Sequence, residues 1–167
     1  PLKAIETYSG KMLTPEDYED VAINTEDHAN VLLRFDNGNK GSITVSQVAA
    51  GRKNRLSLEI SGSKKTFSWN SESPNEVWVG NRDVANQVLL RDPALVAPGV
   101  NSVITFPGGH NEGFPDTSKQ MFKEVYAAIA EGKQPESPAF PTFADGYREL
   151  IIGERILESS QKQAWVT

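Results

Sequence analysis

The sequence predicts an α+β fold, with an open, mostly antiparallel β-sheet and helices packed on one face. Strand-like segments between residues 28 and 92 follow one another through short turns, as in an antiparallel meander. Two segments with the apolar spacing of helices come only after these strands, so the alternation typical of a parallel sheet is missing. The length of 167 residues suits one domain, and we predict a single domain over residues 1–167.

The first clear hairpin is predicted between residues 28 and 50. Before it, residues 2–8 are compatible with a strand, and the acidic stretch around Pro15 reads as an exposed loop. The sequence Asp36-Asn37-Gly38-Asn39 then separates two strand-like segments. Asn-Gly is a strong hairpin signal because both residues tolerate positive φ.

Two further hairpins are predicted downstream. Apolar residues alternate with Ser57 and Glu59 up to a turn at residues 61–63, and the return strand carries Phe67 and Trp69. Residues 75–92 have the pattern of a third hairpin. The result is six strands joined by local turns.

Two helices are predicted after residue 116. A possible capping box, Thr117 to Gln120, begins the first, which Gly132 ends. A second capping box, Thr142 to Asp145, begins a helix that runs to about Ser160. The helical spacing predicts that the following side chains face inward: Phe122, Val125, Tyr126, Ile129, Phe143, Leu150, Ile151 and Leu157. Gly146 and Gly153 are expected to allow close backbone approach, and residues 164–167 could add a short strand.

Composition argues against several classes of protein. The net charge of −5 without a basic block disfavours a nucleic-acid surface, and no apolar run is long enough to span a membrane. The chain has no cysteine for disulfides or thiolate chemistry. The first residues lack the pattern of a signal peptide, so we predict a cytoplasmic location. Because the sequence opens at Pro1 without methionine, we expect it to be a piece of a longer protein.

Cofactor, metal and nucleophile motifs are missing from the sequence. It contains no G-x-G-x-x-G, no phosphate loop and no G-x-S-x-G, so no residue is predicted to bind a cofactor or to act as a nucleophile. The two histidines, His28 and His110, are far apart in the sequence and no ligand cluster surrounds either. We therefore predict no metal site.

Two loops are candidates for binding. In the loop 106–117, glycines either simply turn the chain or present His110 as a proton donor or hydrogen-bond partner. Glu112 and Asp116 on the same loop could then bond hydroxyls. The sequence leaves these two interpretations equally weighted. Arg52 and Asn54 follow the end of a predicted strand, where a solvated turn is the simpler interpretation and recognition of a polyol or acidic sugar the sharper one.

Residues 26–70, 107–117 and 141–166 together resemble the C-terminal domain of the Gfo/Idh/MocA oxidoreductases, named after glucose–fructose oxidoreductase, inositol dehydrogenase and the rhizopine-catabolism protein. The motifs RFDNG, GGHNEG and PTFADG carry this resemblance, in that order along the chain. It implies an open, largely antiparallel sheet that contributes substrate contacts and oligomer contacts, following a Rossmann domain that binds the nicotinamide cofactor.

The resemblance also implies which parts this chain lacks. The family's glycine-rich cofactor motif, its Glu-Lys-Pro motif and its helix with an Asp-x-x-x-His pair are expected before Pro1. No catalytic residue is therefore assigned here, and NAD or NADP is expected in the parent protein but not bound to this chain. His110 matches the GGH loop, and Arg52 and Asn54 match a loop expected near the substrate or a neighbouring subunit.

The sequence thus predicts the substrate-binding and oligomerisation domain of an NAD(P)-dependent sugar or polyol dehydrogenase. The chain alone is expected to be inactive, and its partners are the sugar or polyol, its own Rossmann domain and further copies of itself. Val48, Trp69 and Trp78 are expected to form a dimer seam on the sheet face. The alternative is a stand-alone carbohydrate-binding or dimerisation module without catalysis.

Overall fold

The computed structural model describes Thr14, Glu16, Ala22 and residues 24–133 and 135–167. The strand predicted at residues 2–8 and most of the acidic loop around Pro15 lie outside the described residues. The chain divides into two compact units, the first ending at Ala50 and the second running from Gly51 to Thr167.

The first unit contains a two-stranded antiparallel hairpin. Strand β1 (His28–Arg34) pairs with β2 (Lys40–Ser46), with His28 opposite Ser46 and Arg34 opposite Lys40. The predicted turn is confirmed, but only Gly38 of the Asn-Gly pair has positive φ, at +83°. Its N–H donates to the carbonyl oxygen of Phe35 at 2.9 Å.

The second unit contains a four-stranded antiparallel sheet in the order β3-β4-β5-β6. Its strands are β3 (Ser57–Ser61), β4 (Lys65–Asn70), β5 (Glu76–Asn81) and β6 (Gln87–Leu90). Together with the helices that follow, this confirms the α+β class and the open antiparallel meander. Among the described residues, Val79 in β5 is the only hydrophobic residue that is fully buried, at 1% exposure.

The predicted dimer seam does not form one surface. Trp69 lies opposite Leu58, and Trp78 lies opposite Ser68. Since neighbouring residues of a strand point to opposite faces, the two tryptophans lie on opposite faces of the sheet. Val48 belongs to the first unit and not to this sheet. This part of the prediction is wrong because alternation within a strand does not reveal the register between strands.

Three helices follow the sheet: α1 (Pro98–Asn101), α2 (Phe114–Glu131) and α3 (Phe143–Lys162). Helix α2 begins three residues before the predicted position. Gly113 is its N-cap and Pro115 lies in the first turn, where a missing N–H costs nothing. The Asp116 carboxylate accepts from the Gly113 N–H at 3.0 Å, a bond that lowers the pKa of Asp116, with a further hydrogen bond from Lys119. Gly132 ends the helix as predicted, with φ +71°.

The N-terminus of α3 confirms the second predicted capping box. The Asp145 N–H donates to the Thr142 hydroxyl oxygen at 3.4 Å, and the Asp145 carboxylate accepts from the Thr142 N–H and hydroxyl at 2.7 Å each. The helix ends at Lys162, followed by Gln163 with φ +50°. Residues 164–167 form no strand.

The apolar faces of the two long helices are exposed. Phe143 is fully exposed, Tyr126 is 67% exposed, and most of the side chains predicted to face inward resemble them. These faces are therefore not buried against the sheet in this chain. A Cβ added to Gly146 or Gly153 would meet nothing within 4 Å, so the predicted close backbone approach is absent. The helical spacing shows which residues share a face, but not whether another element covers that face.

Candidate functional site

The predicted binding residues gather at one end of the four-stranded sheet. Because the strands are antiparallel, the starts of β3 and β5 and the ends of β4 and β6 lie at the same end. Arg52 and Asn54 precede β3, and Glu112 is hydrogen-bonded to Asn75, directly before β5. Two loops that are separate in the sequence are thus attached to the same end of the sheet.

The loop before β3 is held by Glu72, in the connection between β4 and β5. Its carboxylate pairs with the Arg52 guanidinium at 3.0 Å and accepts from the Lys53 N–H at 3.4 Å. Asn54 has φ +56°, a left-handed conformation that asparagine tolerates. Arg52 stays half-exposed. Glu72 pairs with Arg52 and also lies 3.8 Å from the Arg55 guanidinium, so one carboxylate faces both arginines.

Asn75 joins the second loop to the sheet. Its side-chain amide donates to the carbonyl oxygen of Glu112 at 2.9 Å and its amide oxygen accepts from the Glu112 N–H at 3.0 Å. This two-point contact satisfies the whole backbone of one residue, as a neighbouring strand would. The loop before α2 is therefore fixed at Glu112.

The Glu112 carboxylate is occupied within the protein. It accepts from the backbone N–H groups of Thr105 at 2.6 Å and Phe106 at 3.3 Å, and pairs with the Arg91 guanidinium at 2.9 Å. The Arg91 and Glu112 side chains are only 14% and 10% exposed. Glu112 was expected to contact substrate hydroxyls, but its acceptor sites are used to hold its own loop.

His110 is exposed, like its neighbours in residues 105–111. It follows Gly109, whose φ of +82° turns the chain, and its N–H donates to the carbonyl oxygen of Pro107 at 3.3 Å. Within residues 24–133 and 135–167, the imidazole has no hydrogen-bond partner. A neutral imidazole has one N–H donor and one acceptor nitrogen, which suits it to hydrogen bonding with a hydroxyl group.

Two residues of this network, Asn75 and Arg91, are not among those predicted from the sequence. Each stands at a strand end, Asn75 before β5 and Arg91 after β6, where a polar residue is ordinarily a solvated turn residue. Nothing in their local sequence shows that they contact a loop up to 37 residues away. The one feature of the sequence that could have identified Arg91 is its place directly after the apolar residues 88–90, and this feature is weak.

A separate open groove lies between the end of α2 and the start of α3. Its volume is about 830 Å³, and it is lined mainly by apolar side chains, among them Val125, Ile129, Phe140 and Phe143. None of the four predicted binding residues lines it. It lacks the set of converging polar groups expected of a sugar site, so the sheet end is the better candidate.

Among the described residues, no three His, Cys, Asp or Glu side chains are placed to share a metal ion. No helix in the same part of the chain is long and apolar enough to cross a membrane.

Comparison with known proteins gives one family. The model of the "Oxidoreductase family, C-terminal alpha/beta domain", that is, of the Gfo/Idh/MocA proteins, matches residues 4–167. A levoglucosan dehydrogenase of Pseudarthrobacter phenanthrenivorans is 28% identical over 155 residues, which are 86% of this chain and 36% of that protein.

Solved structures agree with this match. An oxidoreductase from Sinorhizobium meliloti superposes with a TM-score of 0.79 at 30% identity, over 87% of this chain and 42% of that one. A levoglucosan dehydrogenase in complex with NADH and levoglucosan gives a TM-score of 0.73 at 28% identity, over 86% of this chain and 38% of that one. The chain thus spans about two fifths of the length of these relatives, and it belongs to the Gfo/Idh/MocA oxidoreductase family, whose C-terminal α/β domain it matches.

Proposed function

We propose that this chain is the substrate-binding part of an NAD(P)-dependent dehydrogenase that acts on a sugar or polyol. The family match supports the reaction class, and the levoglucosan dehydrogenase similar to this chain binds NADH and a sugar derivative. The observation that carries the proposal is the placement of His110, an exposed residue on a loop attached to the same end of the sheet as the loop of Arg52 and Asn54.

In this proposal, His110 forms a hydrogen bond with a substrate hydroxyl. The exposed side chains of Arg52 and Asn54 contribute further contacts from the loop before β3. Glu112 contributes indirectly, because its carboxylate holds the loop that carries His110. Hydroxyl recognition of this kind depends on a few placed polar groups in an otherwise closed site.

The described residues do not fit a dinucleotide. All paired strands among them are antiparallel, whereas a Rossmann site needs parallel strands and a glycine-rich turn into a helix. We therefore place NAD or NADP binding, together with the catalytic base, in a Rossmann domain outside this chain. The chain alone is then inactive, and a cytoplasmic location is proposed with it.

The proposal is tested in the full-length protein with NAD and NADP and a panel of anhydrosugars, monosaccharides and polyols. His110→Ala is expected to raise KM for the accepted substrate about tenfold, because one hydrogen bond to a hydroxyl is lost. His28→Ala is the matched control, since this second histidine lies in β1 and bonds Asn30. Unchanged kinetics in His110→Ala would contradict the role of His110.

Binding of the same sugars and polyols to the 167-residue chain distinguishes the dehydrogenase interpretation from the stand-alone module. The module interpretation requires that the 167-residue chain bind a sugar by itself with ordinary affinity. In the dehydrogenase interpretation, the chain provides one wall of the site and binds sugars poorly. Tight sugar binding by the chain, without turnover in the full-length protein, would overturn the proposed function.

We further propose that the protein is a homo-oligomer through one face of the sheet. Leu58, Ile60 and Phe67 share a face and are about half exposed, an apolar surface suited to a second copy. Light scattering of the full-length protein is expected to show a dimer or larger assembly, weakened by Ile60→Glu. A strict monomer at high concentration would contradict this proposal.

A further inference from the structure

One arginine binds the backbone of the loop 105–112 at several points. From its position after β6, Arg91 donates from Nη1 to the carbonyl oxygen of Phe106 at 2.8 Å and from Nη2 to that of Pro107 at 3.3 Å. Nη2 also donates to the carbonyl oxygen of His110. These three acceptors lie on both sides of Gly108 and Gly109, so Arg91 spans the turn that presents His110.

The guanidinium is itself fixed from the sheet side. Its Nε donates to the Asn75 side-chain oxygen at 2.8 Å, whereas its Nη1 pairs with Glu112 of the loop at 2.9 Å. The Arg91 N–H donates to the carbonyl oxygen of Asn75 at 2.7 Å, which fixes the backbone from which the side chain extends. Arg91 is therefore held by the sheet at one end and holds the loop at the other.

We propose that Arg91 is a positioning residue, which holds the 105–112 loop so that the His110 imidazole is presented in one place. The contacts alone support the clamping of the loop. The significance of the imidazole rests on the proposed function, in which His110 contacts the substrate.

The residue type matters because of donor geometry. Arginine offers five N–H donors in a planar fork, and here they reach three carbonyl oxygens, one amide oxygen and one carboxylate. Lysine carries the same charge on a single nitrogen, so it keeps an attraction to Glu112 but does not reach all these acceptors together. Arg91→Lys therefore removes most of the hydrogen bonds to the loop while it keeps the positive charge.

The first measurement is hydrogen–deuterium exchange of the full-length protein over a peptide that covers residues 104–113. Thr105, Phe106 and Glu112 donate their N–H groups within this network. Arg91→Lys is expected to speed exchange of these amides about tenfold, with residues 57–61 unchanged. Arg82→Lys is the matched control, because Arg82 also donates to a backbone carbonyl, that of Ser63, but in the turns at the other end of the sheet.

The second measurement compares Arg91→Lys, His110→Ala and the double variant in steady-state kinetics with the accepted sugar. Arg91→Lys is expected to raise KM about tenfold with a smaller effect on kcat. In the double variant the two effects are not additive, because both act through the same imidazole.

The outcomes distinguish the two proposals. If loop exchange rises in Arg91→Lys while neither variant changes the kinetics, the clamp stands and the proposed function of His110 fails. If His110→Ala raises KM but Arg91→Lys changes neither exchange nor kinetics, the positioning proposal is overturned and the function stands. Faster exchange with normal KM in Arg91→Lys, alongside a raised KM in His110→Ala, also overturns positioning.

A second variant serves if Arg91→Lys does not fold. Glu112→Gln keeps the side-chain shape and removes the charge that pairs with Arg91. It is expected to speed exchange at Thr105 and Phe106, by a smaller factor, while the carbonyl contacts of Arg91 persist. Unchanged exchange in this variant would count against the clamp.

Discussion

The four-stranded sheet and the two long helices of the second unit are stabilised by contacts of different range. The sheet depends on residues distant in sequence: Val79 is buried between paired strands, and Asn75 bonds a residue 37 positions away. Helices α2 and α3 depend on residues three or four positions apart, at their caps and in exposed ion pairs such as Arg155 with Glu158. The end of the sheet is therefore held by contacts between distant residues, while the helices leave their apolar faces exposed.

The largest expected effect is the loss of stability when a side chain is shortened in the sheet, compared with the same kind of change in a helix. Val79→Ala is expected to lower the free energy of unfolding by about 2 kcal/mol, because it leaves a cavity among paired strands. Phe143→Ala removes a larger side chain but is expected to cost about 0.5 kcal/mol or less in this chain, because Phe143 is fully exposed. Urea unfolding of the 167-residue chain measures both.

In the full-length protein, Val79→Ala and Phe143→Ala together test whether the helix faces are covered. If another domain or a second copy covers the start of α3 there, Phe143→Ala becomes strongly destabilising while the cost of Val79→Ala stays similar. If Phe143→Ala and Val79→Ala lower the free energy of unfolding of the 167-residue chain equally, the helix faces are already buried in solution. That result would contradict the difference described here between the sheet and the helices.

A smaller effect is expected at the cap of α3, and it depends on pH. Hydrogen bonds from the Thr142 hydroxyl and backbone N–H lower the pKa of Asp145 from its ordinary value of 3.8. A carboxylate with a lowered pKa in the folded state stabilises the fold above pH 3.8, and this contribution is lost as the pH falls through the lowered value. Asp145→Asn should therefore be less stable than the native sequence at neutral pH.

The difference between Asp145→Asn and the native sequence should shrink as the solution is acidified below pH 3.8, as followed by helical circular dichroism during thermal unfolding. Glu154→Gln is the matched control, because it removes one carboxylate from the same helix away from its first turn. A pH-independent difference would show that the Asp145 carboxylate does not act as an ionised cap.

The local features of the fold could be predicted from the sequence because their causes are local. The Asn37-Gly38 turn, the Thr142 capping box and the end of α2 at Gly132 each depend on residues within four positions. The predicted start of α2 is three residues too late. Thr117 and Gln120 have the spacing of a capping box, but the helix is capped at Gly113, with Asp116 at the third helical position. The exposure of the helix faces was not predictable, because the spacing of apolar residues does not identify their partner.

The two loops of the candidate site could be predicted from the sequence, but the residues that hold them in place could not. His110 and Arg52 lie in glycine-containing loops whose composition suggests binding, and both loops are attached to one end of the sheet. Asn75 and Arg91 look like ordinary strand-end residues, and their role depends on the register of four strands. For the same reason, Glu112 seemed available to a substrate when its carboxylate is committed to Arg91.

Apart from its ion pair with Glu112, Arg91 grips the 105–112 loop only through carbonyl oxygens. A carbonyl oxygen is the same whatever side chain its residue carries, so the grip does not depend on the identities of residues 106, 107 and 110. In the proposed function, substitutions at His110 therefore alter the contact with the substrate while the backbone of the loop stays held, provided that the turn at Gly109 is kept. If His110 contacts the substrate as proposed, sequence changes at this position can alter substrate preference while the fold of the loop is retained.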